Sequence, residues 1–236
     1  MRVSPLRPPL DGIANRLVEV GAVKFGAFRL KLHRPPHGNP NAPLSPHYFD
    51  YRTQEHPIES KRGPVPLDLV EQIAAVMALD MADWRLSNMA IAAVPHGAVP
   101  YGRAVANLLG MPFIQLRKEE YGDSTTKVVG IEVTPVPRGS MVVLIEDVVT
   151  SGASSMEAID VLHRAGMNVP KVFAVMDREQ GGAFMIAGAL YAEFHALFTY
   201  TTLMDHLLSL GDDNILSQAK YDESRAYHLA SKSARP

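Results

Sequence analysis

The chain changes its hydrophobic period several times, and each change marks an element. From Leu10 to Val20, LDGIANRLVEV, apolar side chains recur at helical spacing, with Asp11 placed as an N-cap. GAVKFGAFRLKL, Gly21 to Leu32, then alternates as a strand or hairpin arm does. HRPPHGNPNAPLSPH, His33 to His47, is dense in Pro, Asn and Gly and reads as a loop. The short aromatic run HYFDYR, His47 to Arg52, reads as a second strand. Beyond Val65 the segments lengthen. PLDLVEQIAAVMALDMA is an amphipathic helix pattern with Asp68 in its first turn. NMAIAAVP, Asn88 to Pro95, is a continuous apolar run of strand length, as a strand buried on both faces requires. VPYGRAVANLLG predicts a helix closed by Gly110, and MPFIQLRK the next strand. EEYGDSTTK is polar and reads as an exposed loop. VVLIED, SSMEAIDVLHRAG and KVFAVMD follow as strand, helix and strand. The tail from Ser209 is polar, either a surface helix or partly disordered.

Strands alternating with helices at this spacing predict an α/β fold: an open, twisted, mainly parallel sheet flanked by helices, with right-handed crossovers. The first fifty-odd residues predict a small helix and hairpin hood. The expected boundaries are residues 1–60 for the hood, 61–208 for the core and 209–236 for the tail.

Composition narrows the class. The 236 residues suit one large domain, or a domain with a small appendage. A net charge of -2 gives no basic surface for nucleic acid or acidic membrane, so neither partner is expected. With no cysteine, a disulfide framework and thiolate metal sites are excluded, and a reducing compartment fits. No run approaches the roughly 18 apolar residues of a spanning helix, and the opening MRVSPLRPPLDG lacks the apolar core of a secretory signal. A cytoplasmic enzyme is the expectation. His33, His37 and His47 are too loosely spaced, with no carboxylate fixed near them, to argue for a metal site.

The candidate chemistry lies in VVLIEDVVTSGASS, Val142 to Ser155. An apolar strand ends in Glu146 and Asp147; Thr150, Ser151, Gly152, Ala153, Ser154 and Ser155 follow, and a helix begins. Small residues let backbone approach a phosphate. N–H groups at a helix N-terminus point at the anion, and four hydroxyls add donors. The same pattern also describes a plain turn with Ser and Thr capping the helix. The acidic pair weighs against that, because adjacent carboxylates at the end of a buried strand repel and need a task. Sugar hydroxyls, or a metal held through water, would supply one. No Gly-Lys-Ser/Thr is present, so this is not a Walker loop.

IEDVVTSGAS resembles the PRPP-binding signature of type I phosphoribosyltransferases. Four further segments resemble those of the orotate phosphoribosyltransferase family: KFGAFRL with SPHYFDYR its N-terminal hairpin, AVPHGAVPYG its pyrophosphate loop, FIQLRKEE the strand entering its mobile loop, and VFAVMDREQGG its strand ending in Asp-Arg. The matches keep the family's order over roughly residues 15 to 185.

The resemblance implies transfer of ribose 5-phosphate from PRPP to orotate, with Mg²⁺ bridging the pyrophosphate and ribose oxygens and a homodimer in which loops are shared. It matches Glu146 and Asp147 to the acids that hold the ribose hydroxyls, and Thr150, Ser151, Gly152, Ala153 and Ser154 to the 5-phosphate loop. His96, Gly97 and Ala98 match the pyrophosphate loop; Arg117 and Lys118 match cations facing the pyrophosphate, Lys118 with a catalytic part; Lys24, Phe28 and Arg178 match the base site. Taken alone, Lys24 and Lys118 read equally as solvated lysines, Phe28 as core, His96 as a loop histidine and Arg178 as a surface ion-pair partner. Two segments depart from the family. After Arg117-Lys118-Glu119 the family has a further lysine, where this chain has Glu120, Tyr121, Gly122 and Asp123. The hairpin connection is longer and rich in Pro and His. Three readings stay open: the orotate enzyme, a paralogue for another base, or a PRPP- or nucleotide-binding regulatory protein.

Overall fold

The computed structural model describes residues 6–30, 39–56, 59–82, 84, 89–120, 126–190 and 192–233. In chain order its elements are α1 (Leu10–Glu19), β1 (Val23–Phe28), β2 (Ser45–Phe49), α2 (Leu67–Met81), β3 (Met89–Ala93), α3 (Val99–Leu109), β4 (Phe113–Glu120), β5 (Thr126–Val133), β6 (Met141–Val149), α4 (Ala153–Arg164), β7 (Asn168–Asp177), α5 (Gly182–Leu190), β8 (Glu193–Thr199), α6 (Tyr200–Ser209), α7 (Asp213–Leu216) and α8 (Gln218–Ser233). Residues 51–200 make one compact unit; residues 1–50 with 201–236 make another. Among the described residues, no helix is long and apolar enough to cross a membrane.

In the 51–200 unit every residue of β3 is buried, which is why MAIAA reads without alternation. The six strands lie in the order β5-β4-β3-β6-β7-β8. All neighbours pair in parallel except β5, which runs antiparallel along β4. The two faces are covered by different helices. Ala90, Ala92, Ile114, Leu116, Val142, Leu144, Val172 and Ala174 form one buried layer with Ala158, Ile159 and Leu162 of α4 and Ile186 of α5. On the other face α3 approaches closely: a Cβ on Gly102 would sit 2.7 Å from Ala93 Cβ. Gly110 ends α3 in the left-handed conformation, φ 63°, which a glycine adopts without steric cost.

The connections create a crevice. From β3 the chain passes through α3 to β4 on one side; from β6 it passes through α4 to β7 on the other. The order therefore reverses between β3 and β6, and ligands of open α/β sheets sit outside the carboxyl ends of the strands at such a point. Here those ends carry Pro95 to Ala98 and Glu146 to Ser154.

The expected loop at 119–127 is corrected. Glu119 and Glu120 continue β4, Thr126 and Lys127 begin β5, and Glu119 faces Lys127 across the ladder. Residues 121–125 lie outside the described residues. Polar composition hid the pair because β5 is an edge strand, where charged side chains face solvent without penalty. Asp11 is also displaced from its expected role: Pro9 is the N-cap of α1, and Asp11 sits in the first turn, accepting the Gly12 N–H at 2.8 Å.

In the other unit β1 and β2 form an antiparallel hairpin. The tail is helical: Asp212 caps α7 by accepting the Asn214 N–H at 2.9 Å, and α8 follows. His47 of β2 meets Tyr227 of α8 edge to face, with ring centroids 5.8 Å apart. His33 and His37 lie outside the described residues.

Candidate active site

The turn after β6 leads into a helix whose N-cap is glycine. The N-cap of α4 is Gly152 at φ 80°, and no side chain among the described residues caps the helix. Thus the first-turn N–H groups are not taken by a Ser or Thr, and the capping interpretation of this turn does not hold. Thr150, Ser151 and Ser154 remain around the turn. Ser155, the fourth hydroxyl, does something else: it is buried and donates to Glu146 Oε2 at 2.9 Å.

The carboxyl pair is strained electrostatically. Glu146 is 5% exposed. Burial, then the charge of Asp147 beside it, push its carboxyl well above the usual carboxylate range; Ser155 and Lys118 pull partly the other way. Asp147 lies against the loop after β3. A Cβ on Gly97 would stand 2.0 Å from Asp147 Oδ2, so only glycine lets this backbone approach the carboxylate. The Pro95–His96 peptide in that loop is cis. His96 meets His56 edge to face at 5.7 Å.

Lys118 and Arg117 separate. Successive strand residues point to opposite faces. Lys118 Nζ donates to Pro95 O at 3.2 Å and faces Glu146. Arg117 turns the other way and pairs with Glu119 at 2.7 Å, both side chains about half exposed. Glu146, Asp147, Lys118, His96, Gly97 and Ala98 thus gather with Thr150 to Ser154 at the crevice, and within this chain Arg117 does not join them.

The segment after β7 braces the turn after β6. Val149 is level with Asp177 across the ladder. Arg178 N donates to Val149 O at 2.9 Å, and Gly182 N to Thr150 O at 3.0 Å. Asp177 accepts the Glu179 N–H at 2.8 Å. Arg178 therefore stands at the carboxyl end of its strand, one strand from the acids. In the other unit, Lys24 faces Tyr48 across the hairpin, and Phe28 stacks on Tyr48 with centroids 5.6 Å apart. Lys24, Phe28 and Tyr48 share one face of that hairpin.

Three neighbours of the expected site residues are not marked by the sequence pattern. Tyr48 stands in HYFDYR, but its partner strand's register was not readable. Gly182 was visible as the second glycine of DREQGG, without its contact. His56 had no motif around it.

The carboxyl ends of β3, β4 and β6 thus offer an anion cradle, an acidic pair and a cation in one crevice, and comparison with known proteins gives this arrangement a family. A model of the phosphoribosyl transferase domain matches residues 67–190. The orotate phosphoribosyltransferase of Halobacterium salinarum is 32% identical over 197 residues, covering 83% of this chain and 97% of its own length. The uridine 5'-monophosphate synthase of Caenorhabditis elegans is 29% identical over 200 residues, covering 84% of this chain but 36% of its own; the chain spans about a third of that longer relative. The orotate phosphoribosyltransferase structure from Aeropyrum pernix shares the fold, with a TM-score of 0.59 at 24% identity over 85% of this chain and 99% of that one. The chain belongs to the type I phosphoribosyltransferases, and it is similar to the orotate phosphoribosyltransferases among them.

Proposed function

We propose that this protein is an orotate phosphoribosyltransferase, which joins orotate to the ribose 5-phosphate of PRPP and releases pyrophosphate. The observation that carries this is the junction of β6 and α4: an acidic pair running directly into an uncapped helix N-terminus, at the point where the strand order reverses. It accommodates the two unlike parts of a ribose phosphate, hydroxyls and phosphate, a few residues apart.

The reaction breaks the bond between the anomeric carbon and a pyrophosphate oxygen and forms one to a ring nitrogen of orotate, which loses its proton. Positive charge develops on the ribose, so catalysis is largely positioning and charge neutralisation. Asp147 and Glu146 are assigned to the ribose hydroxyls; hydroxyl donors offset the burial, and then the charge of Asp147, that raise the Glu146 carboxyl. Thr150, Ser151 and Ser154, with the N–H groups of Gly152 and Ala153, hold the 5-phosphate. Lys118 and the His96–Ala98 loop receive the pyrophosphate, where Lys118 neutralises charge on the leaving group. Arg178 is assigned to the orotate carboxylate, and Lys24 and Phe28 keep the base-binding roles that sequence similarity gives them. Arg117, facing away within its own chain, is assigned to a neighbour's site in a homodimer. Mg²⁺ suits the donors present: the carboxylate oxygens of Glu146 and Asp147 are hard ligands, and Asp147 lies against the loop at Gly97. When bound, the ion neutralises pyrophosphate charge and is held mainly by PRPP. A cytoplasmic location is consistent with a chain free of cysteine.

The test is direct. Purified protein is mixed with PRPP, Mg²⁺ and orotate, and the loss of orotate absorbance is followed. Turnover is expected. No turnover with PRPP binding intact by calorimetry would overturn the assignment in favour of a regulatory binding protein. Turnover with uracil or a purine instead would identify a paralogue.

A further inference from the structure

We propose that Glu157 is a positioning residue that couples the phosphate-binding helix to Lys118, resting on the function proposed above. Two hydrogen bonds and the strand pairing between them carry the case. Glu157, on the second turn of α4, accepts the Val128 N–H on Oε2 at 3.0 Å. Val128 is the direct cross-strand partner of Lys118. Lys118 in turn donates to Pro95 O of the pyrophosphate loop.

The place of this bond in the ladder gives it significance. Between Arg117 and Lys118 the β4–β5 register slips: Arg117 faces Gly130, whereas Lys118 faces Val128. A bulge of this kind re-aims a side chain and interrupts the ladder locally. Beside that interruption the Val128 N–H is directed to a carboxylate of α4. An oxygen acceptor at that reach takes up the N–H that the interrupted ladder leaves to it. The same helix places Ser155 on Glu146. Thus α4 binds the 5-phosphate with its first turn, orients one ribose acid with Ser155, and anchors the strand pair that carries the pyrophosphate lysine with Glu157. Val128 itself is buried and lies on the face shared by Leu116 and α4, so the anchored strand has a packed seat there.

A purely structural role for Glu157 predicts lowered stability with independent effects on binding. A positioning role predicts effects that vanish when Lys118 is gone. Four variants separate these: Glu157→Ala, Glu157→Asp, Glu157→Gln and Lys118→Ala, with the doubles Glu157→Ala/Lys118→Ala and Glu157→Asp/Lys118→Ala. Aspartate keeps the charge but shortens the reach; glutamine keeps an oxygen acceptor at full length. PRPP affinity is measured by calorimetry with Mg²⁺, and melting temperature alongside. Glu157→Ala and Glu157→Asp are expected to weaken PRPP binding about tenfold, as misplacement of a binding group does. Glu157→Gln is expected to stay within about twofold of wild type. In the Lys118→Ala background neither substitution is expected to weaken binding further. If Glu157→Ala proves too unstable to study, the Asp, Gln and Lys118 set decides alone. Unchanged PRPP affinity in Glu157→Asp, or full additivity with Lys118→Ala, overturns the inference while leaving the function standing. A wild-type chain that binds no PRPP overturns both.

Discussion

At the scale of single residues, the two acids do different work. Glu146 is buried and hydrogen-bonded to Ser155, whereas Asp147 is half-buried beneath the Gly97 backbone. Asp147 is thus the more accessible of the two acids, and the proposed function gives it the ligand. Asp147→Asn keeps its size, so the fold should persist by circular dichroism, while kcat/KM falls about 10²–10³-fold, the usual cost of removing one preorganised electrostatic contact. Glu146 makes a thermodynamic prediction. Its carboxyl is raised from 4.5 in the folded chain. Between 4.5 and that raised value the folded chain holds a proton that the unfolded chain releases. Its stabilising contribution is therefore full below 4.5 and is lost as pH rises through the folded value. The melting temperature of the ligand-free wild type should decline across this window. Glu146→Gln, which never ionises, should flatten that slope; a slope unchanged in the variant would refute the burial argument.

At the scale of elements, the glycines after β7 show how a turn is held by its neighbour. A Cβ on Gly182 would meet Val149 Cγ1 at 2.4 Å, Thr150 O at 2.8 Å and Gly152 N at 2.9 Å. Gly182→Ala must therefore displace the phosphate turn or α5. A loss of about 1–3 kcal/mol is expected from such overpacking, together with a KM for PRPP raised about tenfold. Gly188, in the same helix, has nothing within 4 Å of its Cβ position, and Gly188→Ala should stabilise by up to about 1 kcal/mol and leave KM alone. Thermal melts and steady-state kinetics on the pair check both. These elements also show what pattern alone discloses. The buried runs MAIAA and VVLIED and the helix ended by Gly110 were legible because both-face burial and a left-handed terminus leave local signatures. The strand β5 and the last residues of β4 were not, since their polar residues meet only across the ladder and the apolar seat of Val128 is made in three dimensions. Likewise the roles of Ser155 and Gly182 depend on contacts to Glu146 and to Thr150 made in three dimensions.

At the scale of the whole molecule, the proposed function ties the ligand's place to the strand order and the metal's to the donors around it. The reversal between β3 and β6 opens one crevice at the strand ends, and the phosphate turn, acids and Lys118 all come from elements bordering it. Lys118 faces the acidic pair there, and among the described residues no cluster of three potential metal ligands exists. A divalent ion with only two neighbouring carboxyls, one of them raised toward neutrality, has little to bind in the free protein. Binding should therefore be strongly linked: PRPP brings most of the ligands for Mg²⁺, and Mg²⁺ neutralises the charge that the chain alone does not. Melting curves test this. Mg²⁺ alone should move the melting temperature by less than about 1 °C. PRPP with Mg²⁺, at a hundredfold excess over Kd, contributes about 2.7 kcal/mol of folded-state stabilisation. At about 2–4 °C per kcal/mol for a chain of this size, that is a rise of roughly 5–10 °C. EDTA should remove most of the rise while PRPP is still present. A shift of equal size with Mg²⁺ alone would mean that the protein, rather than its substrate, holds the ion.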